Sequence, residues 1–256
     1  MPASPISLWA FPALFATGLL AGFVDSIAGG GGLITVPVLL NLGIPPLFAL
    51  GTNKLQATFG SGSAAVHYTQ SKIVSLPDCR TGVFFTLIGA AAGTLFLQSR
   101  DPAFLKQFIP VLLLAIAAYM IFKPKVGERD IQPRWRPGVF YLVFGLLLGF
   151  YDGFLGPGTG SFWAMAYMLL LGFNLTKATG YTKVMNFASN IVSLACFIAA
   201  GQVYYGAGLT MGLGQLIGAR LGSRMVVNRG TRFIRPIFLT MVLALTIKLL
   251  YDSFHK

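Results

Sequence analysis

The sequence predicts an all-α, polytopic membrane protein made of two homologous repeats of about five hydrophobic segments each, the second inverted relative to the first. Three observations predict it. The 256 residues are 55% hydrophobic and only 10% charged, with a mean hydropathy of +0.73, a balance suited to lipid rather than to a soluble domain. The chain repeats itself. Its cationic residues also fall largely on one side of the membrane once the segments are laid out.

The repeat is read from matched strings. Gly22-Phe23-Val24-Asp25, followed by Gly29-Gly30-Gly31-Gly32, returns as Gly149-Phe150-Tyr151-Asp152, followed by Gly156-Pro157-Gly158-Thr159-Gly160, with Asp25 and Asp152 127 positions apart. Ala49-Leu50-Gly51-Thr52-Asn53-Lys54-Leu55 matches Ala178-Thr179-Gly180-Tyr181-Thr182-Lys183-Val184, and Ile88-Gly89 through Gly93 matches Ile217-Gly218 through Gly222, both at an offset of 129. The second copy therefore carries a two-residue insertion.

Taken in order, hydrophobic segments A to E run over 8–27, 33–50, 55–71, 81–98 and 104–122, and A′ to E′ over 138–152, 161–173, 184–200, 205–222 and 236–251. These give a first transmembrane repeat at 8–122, a cytoplasmic linker at 123–137 and a second repeat at 138–252. A cleavable leader is not expected, because its start should be positive and the first Lys or Arg is Lys54. A′ and B′ are short against the ~20 residues a helix needs to cross lipid, and B is interrupted by Gly43 and Pro45-Pro46. Irregular backbone at membrane depth survives only where protein or a water-filled cavity satisfies it. The A/B and A′/B′ pairs are accordingly either hairpins that dip in with the glycine runs at their tips, or full crossings.

Charge sets the parity. If A and B together make an even number of crossings, thirteen Lys and Arg residues between Lys72 and Arg235 share one side, against Arg100, Lys106 and Lys256 on the other. If A crosses and B is re-entrant, the same residues divide eight to eight. The positive-inside rule selects the first arrangement, which puts the N-terminus outside, the linker in the cytoplasm and the C-terminus outside, and so inverts the second repeat. The net charge of +12 then belongs to cytoplasmic loops and is not a nucleic-acid footprint.

Doubled hydrophobic units with Gly-interrupted segments at matched places are the pattern of a secondary transporter, whose binding site forms where the repeats meet. Lys54 and Lys183 occupy one position in both copies, each at the start of a hydrophobic segment. Lysine within a span is costly and faces a cavity or a partner unless it snorkels to the interface. An anionic substrate would be that partner, with Asn53, Gln56, Asn186 and Asn190 as amide neighbours. Segments B and B′ start from Gly30, Gly31 and Gly32 and from Gly158, Thr159 and Gly160, helix starts whose N–H groups and positive dipole end suit an anion. Asp25 and Asp152, each four residues before its glycine run, are candidate proton carriers or, alternatively, hydrogen-bond acceptors at a hairpin tip.

The remaining polar residues offer less. Two cysteines, Cys79 and Cys196, and an isolated His67 build neither a metal site nor a catalytic triad, so no cofactor, no metal and no enzyme activity are expected. Arg220 is read as a cytoplasmic interface residue.

The string Ala21 to Gly32, with its Asp-Ser-Ile-Ala-Gly-Gly-Gly-Gly, together with Thr52-Asn53-Lys54-Leu55-Gln56-Ala57, Gly149-Phe150-Tyr151-Asp152-Gly153 and Lys248-Leu249-Leu250-Tyr251-Asp252, resembles the sulfite exporter TauE/SafE family, and within it the YfcA-like bacterial membrane proteins. The resemblance covers nearly the whole chain. It implies a multi-pass permease of the bacterial inner membrane that moves sulfite, sulfonates or related sulfur-containing organic anions, outward. A passive anion channel would share the lining, and a non-transporting structural subunit would share the hydrophobicity. The expected partners are a small anion and the lipid bilayer, with a homodimer left open.

Overall fold

A computed structural model describes residues 9–99 and 127–254. The expected segment E, at 104–122, and the cationic residues Arg100, Lys106, Lys123, Lys125 and Lys256 lie outside the described residues. Within them the chain is helical, with α1 (Ala10–Ala28), α2 (Gly31–Asn41), α3 (Pro46–Gln70), α4 (Leu76–Ser99), α5 (Pro137–Phe154), α6 (Thr159–Leu170), α7 (Leu175–Ala199) and α8 (Tyr205–Phe254). Four of them, α1, α4, α5 and α7, are long and apolar enough to cross a membrane.

The helix limits follow local chemistry. Pro46 and Pro137 open α3 and α5 at positions where a missing N–H costs nothing. Asn174 caps α7 by accepting the Lys177 N–H at 2.9 Å. Gly29 closes α1 in the left-handed conformation, at φ 75°, and donates to the Asp25 carbonyl at 2.9 Å. Two boundaries differ from the hydropathy reading. Helices α3 and α7 begin nine residues before segments C and C′, because buried polar residues in the first half depress hydropathy without breaking the helix. The arginine-rich stretch expected to separate D′ from E′ is instead part of α8, which is broken only at Gly230 (φ 68°, ψ −176°).

At 11 and 12 residues, α2 and α6 are each no more than ~18 Å long and cannot cross a ~30 Å hydrocarbon core. Each is instead the return arm of a hairpin. Leu14 near the start of α1 and Leu39 near the end of α2 share a buried cluster with Ala49, Ala207 and Met211, so both ends of the first hairpin lie at one end of the molecule. The α7–α8 turn lies there too, where the Tyr204 N–H donates to Thr52 Oγ1 at 2.9 Å. The second hairpin has its base at the opposite end. There Phe140 of α5 packs on Tyr167 of α6 with ring centroids 5.2 Å apart, and the described part of the linker is strapped to the α6–α7 turn through Ile131 N–H to Gly172 O and Arg134 N–H to Leu170 O, both 2.8 Å. The α3–α4 turn joins this linker end, with the Ser75 N–H donating to Tyr181 Oη.

Small residues let the helices that carry the hairpins approach closely. A side chain at Gly89 or Gly93 of α4 would strike the α5 backbone at Leu146 and Phe150, and one at Gly218 or Gly222 of α8 would strike the α1 backbone at Leu19 and Phe23. Without water to drive association between helices in lipid, such close backbone packing supplies the contact. The first helix of each half is thereby held by the fourth helix of the other half.

Candidate functional site

The two hairpins enter from opposite ends and meet tip to tip. Gly29 and Gly160 lie backbone on backbone, so a β-carbon on either would collide with the other. Ser161 Oγ donates to the Ala28 carbonyl at 2.8 Å across the same junction, and Tyr68 Oη reaches the Ser26 carbonyl at 3.0 Å. In the second tip, Tyr151 Oη donates to the Pro157 carbonyl at 2.6 Å. Side chains from the hairpins and from α3 thus take up backbone acceptors that the bends expose.

Lys54 and Lys183 flank the junction, each the ninth residue of its helix, α3 or α7, and not at a helix start as the hydropathy pattern implied. They are 2% and 0% exposed, which rules out snorkelling to the interface. Each pairs with the aspartate of the other half. Lys54 Nζ lies 2.9 Å from Asp152 Oδ1 and Lys183 Nζ lies 3.0 Å from Asp25 Oδ2. Two lysines and two aspartates leave this centre without net charge. A buried ion pair is tolerated where further hydrogen bonds complete it.

The two pairs are not equivalent. Lys54 donates three hydrogen bonds, to Asp152 Oδ1, to the Asp152 carbonyl at 2.6 Å and to Asn190 Oδ1 at 3.3 Å, which uses every proton of an ammonium. Asp152 also accepts a short bond from Ser189 Oγ. Asp25 accepts from Lys183 and from the Gly31 N–H at 3.1 Å, and its side chain is 17% exposed against 7% for Asp152. The position in α3 that corresponds to Ser189 is Gly60, so only one carboxylate is held by a hydroxyl.

An amide wall completes the site. Asn53 Oδ1 accepts from Thr35 Oγ1 at 2.6 Å and Gln56 Nε2 at 2.7 Å, which turns the Asn53 amide nitrogen toward Gly32. Asn186 Oδ1 and Gln215 Oε1 are buried without a hydrogen-bond partner in the protein. Rotation of either terminal amide would present its NH₂ in that place, a donor suited to an anion. Around these groups lies a cavity of about 30 Å³, room for one or two waters.

Of the residues expected from sequence, Asn53, Lys54, Asn186, Asn190, Gly30, Gly31, Gly32, Gly158, Thr159, Gly160, Asp25 and Asp152 all line this cavity. Lys183 reaches it through Asp25. Gln56 does not line it and instead supports Asn53 from behind. Sequence reasoning missed Gln215, which lines the cavity from α8, as well as Ser189 and Thr35. Gln215 is a lone polar residue between Gly214 and Leu216, and that polarity in an apolar run was the available signal. Arg220 lies away from the cavity, donating to Gln70 Oε1 at 3.3 Å at an exposed place near the end of α3. Among the described residues no group of His, Cys, Asp and Glu is arranged to hold a metal.

The chain is similar along its length to bacterial proteins named as probable membrane transporters. It is 48% identical over 248 residues to the "Probable membrane transporter protein" of Haemophilus influenzae, covering 94% of this chain and 96% of that one. It is 46% identical over 240 residues to the "Probable membrane transporter protein YfcA" of Escherichia coli K12, covering 94% and 89%, and 26% identical over 271 residues to the "Probable membrane transporter protein YunE" of Bacillus subtilis, covering 95% and 98%. With residues 14–249 matching its model, the chain belongs to the sulfite exporter TauE/SafE family of membrane transporters.

Proposed function

We propose that this protein is a secondary active exporter of sulfite, a sulfonate or a related sulfur-containing anion, resident in the bacterial inner membrane and built of two inverted repeats. The observation that carries this reading is the reciprocal pairing of Lys54 with Asp152 and Lys183 with Asp25 at the junction of two hairpins that enter from opposite ends. Inverted repeats of the transporter kind form their substrate site from broken helices at such a junction. The equal helix positions of the two lysines and the exchanged helix contacts of the two halves support the same arrangement.

The charge balance gives the mechanism. An anion entering the cavity meets lysines already neutralised by carboxylates, so it gains a full countercharge only when a carboxylate takes up a proton or swings away. Asp25 is the candidate for that step, being more exposed than Asp152 and lacking a counterpart to the Ser189 hydroxyl that holds Asp152. The protonated carboxyl releases Lys183, the anion takes its place, and the amides of Asn53, Asn186 and Gln215 supply further donors. A cavity of about 30 Å³ is too small for a sulfonate, so loading requires the hairpin tips to part at Gly29 and Gly160. Anion and proton then travel together, so outward movement is drawn by the anion's own outward gradient.

The test is flux in proteoliposomes made with the purified protein. Sulfite, taurine-like sulfonates, sulfate and chloride are supplied in turn, with and without an imposed pH gradient. Accumulation of a sulfur oxyanion against its own gradient, driven by pH, is expected. Flux that only ever runs downhill would make the protein a channel, and no flux for any of these anions would leave it a non-transporting subunit.

A further inference from the structure

A second cavity, of about 620 Å³, lies at the linker end, well apart in composition from the central one. The α3–α4 turn, the linker, the α6–α7 turn and the break in α8 all contribute to it. Lys72, Lys177, Arg229 and Arg232 line it, with Glu128 as the acidic lining residue. Lys177 also reaches Asp130 at 3.5 Å. Lys72, Lys177 and Arg232 by themselves outnumber these two carboxylates, and they come from segments far apart in sequence.

Two backbone features are built into the same place. Lys72 is the one non-glycine residue with positive φ among the described residues, at 57°, a conformation unfavourable for a side-chain-bearing residue and retained only where surroundings fix it. Gly230, at φ 68° and ψ −176°, occupies a region open essentially to glycine alone. The helix that resumes after it brings Thr231 and Arg232 to the cavity wall in its first turn. Helix starts favour anions through their N–H groups and dipole. The cation cluster and the helix start are independent features with the same electrostatic sense.

We propose that this cavity is a peripheral site for a tetrahedral oxyanion, specifically a phosphate group, separate from the transport site. The volume fits a small-molecule or headgroup site, for which ~300–1,000 Å³ is usual. Basic pockets between membrane helices on the cytoplasmic side accommodate acidic headgroups, and the linker end is the cytoplasmic end in the charge-based topology. The phosphate can arrive on an acidic phospholipid or as a free ion. The inference stands without the transport reading, because no residue of the central cavity takes part.

The experiment uses the full chain purified in neutral detergent. Thermal unfolding is followed with added phosphatidylglycerol, with phosphatidylcholine, and with inorganic phosphate against chloride at equal ionic strength, and native mass spectrometry counts retained lipid. Phosphatidylglycerol is expected to raise the midpoint by about 5 °C over phosphatidylcholine and to remain bound. A comparable rise with inorganic phosphate alone would identify the free ion as sufficient. Both responses are expected to fall at least threefold in Lys72→Asn/Arg232→Gln, where asparagine keeps the left-handed turn, and in Lys177→Gln, which leaves both backbone features in place. Arg134→Gln is the control. The proposal is overturned if neither phosphate source shifts the midpoint, or if the cavity variants respond as the parent does.

Discussion

Gly29 and Gly160, 131 positions apart in sequence, touch through their backbones, and no side chain could be placed between them. This contact fixes the level at which the two hairpins stop, and hence the level at which Lys54, Lys183 and their aspartates meet. It is also the least forgiving spot in the site.

Gly160→Ala should therefore cost about 1–3 kcal/mol of stability, as overpacking in a filled interior does, and Gly29→Ala should cost more because its φ of 75° adds strain for any other residue. Gly138→Ala in α5 meets nothing within 4 Å and should be neutral or slightly stabilising. Unfolding midpoints in detergent compare the three directly. Equal midpoints for all three would mean that the tips do not pack as described.

Lys54→Met and Lys183→Met should each reduce anion flux by about 10- to 100-fold, the equivalent of losing one hydrogen bond to a charged group. Each also strands a buried carboxylate, at a cost of about 3–5 kcal/mol. Adding Asp152→Asn to Lys54→Met should recover much of the stability without recovering flux. That separation distinguishes a substrate lysine from a structural one. If the double variant transports normally, Lys54 is only a strut.

The unequal surroundings of the two carboxylates predict unequal phenotypes. Asp25→Asn should fold, lose accumulation driven by a pH gradient and keep downhill exchange. Asp152→Asn removes the charge that neutralises Lys54 and accepts from Ser189, so it should lower the unfolding midpoint more than Asp25→Asn does. Flux with and without a pH gradient, alongside thermal melts, tests both. A full pH response in Asp25→Asn would end the case for that residue as proton carrier.

Orientation can be read chemically. In a background with Cys79 and Cys196 replaced, Lys72→Cys at the linker end should react with a membrane-impermeant thiol reagent only after cells are permeabilised, and Gln202→Cys, at the other end, should react in intact cells. The reverse pattern would overturn the cytoplasmic placement of the linker. Reporter fusion after Lys256 should likewise report the outside.

The ingredients of the site were legible because they recur. Matched strings singled out Lys54, Lys183, Asp25, Asp152 and both glycine runs, and composition alone marked a membrane protein. The exchange of partners between halves was not legible, since a repeat specifies which residues correspond but not which halves touch. Helix starts were misplaced where Thr52, Asn53 and Lys54 in α3, and Thr179, Thr182 and Lys183 in α7, are buried against protein and do not face lipid. Hydropathy counts such residues as loop when they are the protein-facing polar side of a helix. The α8 break was misjudged for a related reason, as a run of arginines at a membrane end is compatible with continued helix when the side chains reach polar surroundings.

The neutral sum of two lysines and two aspartates has an electrical consequence. With the cavity empty and both carboxylates ionised, the four side chains carry no net charge. With one carboxylate protonated and one monovalent anion bound, the total is again zero. Loaded and unloaded forms would then cross the field equally, although a bare anion crossing alone would gain or lose about 2.3 kcal/mol per 100 mV. A membrane voltage would bias neither half of such a cycle, leaving the pH difference and the anion difference to set its direction.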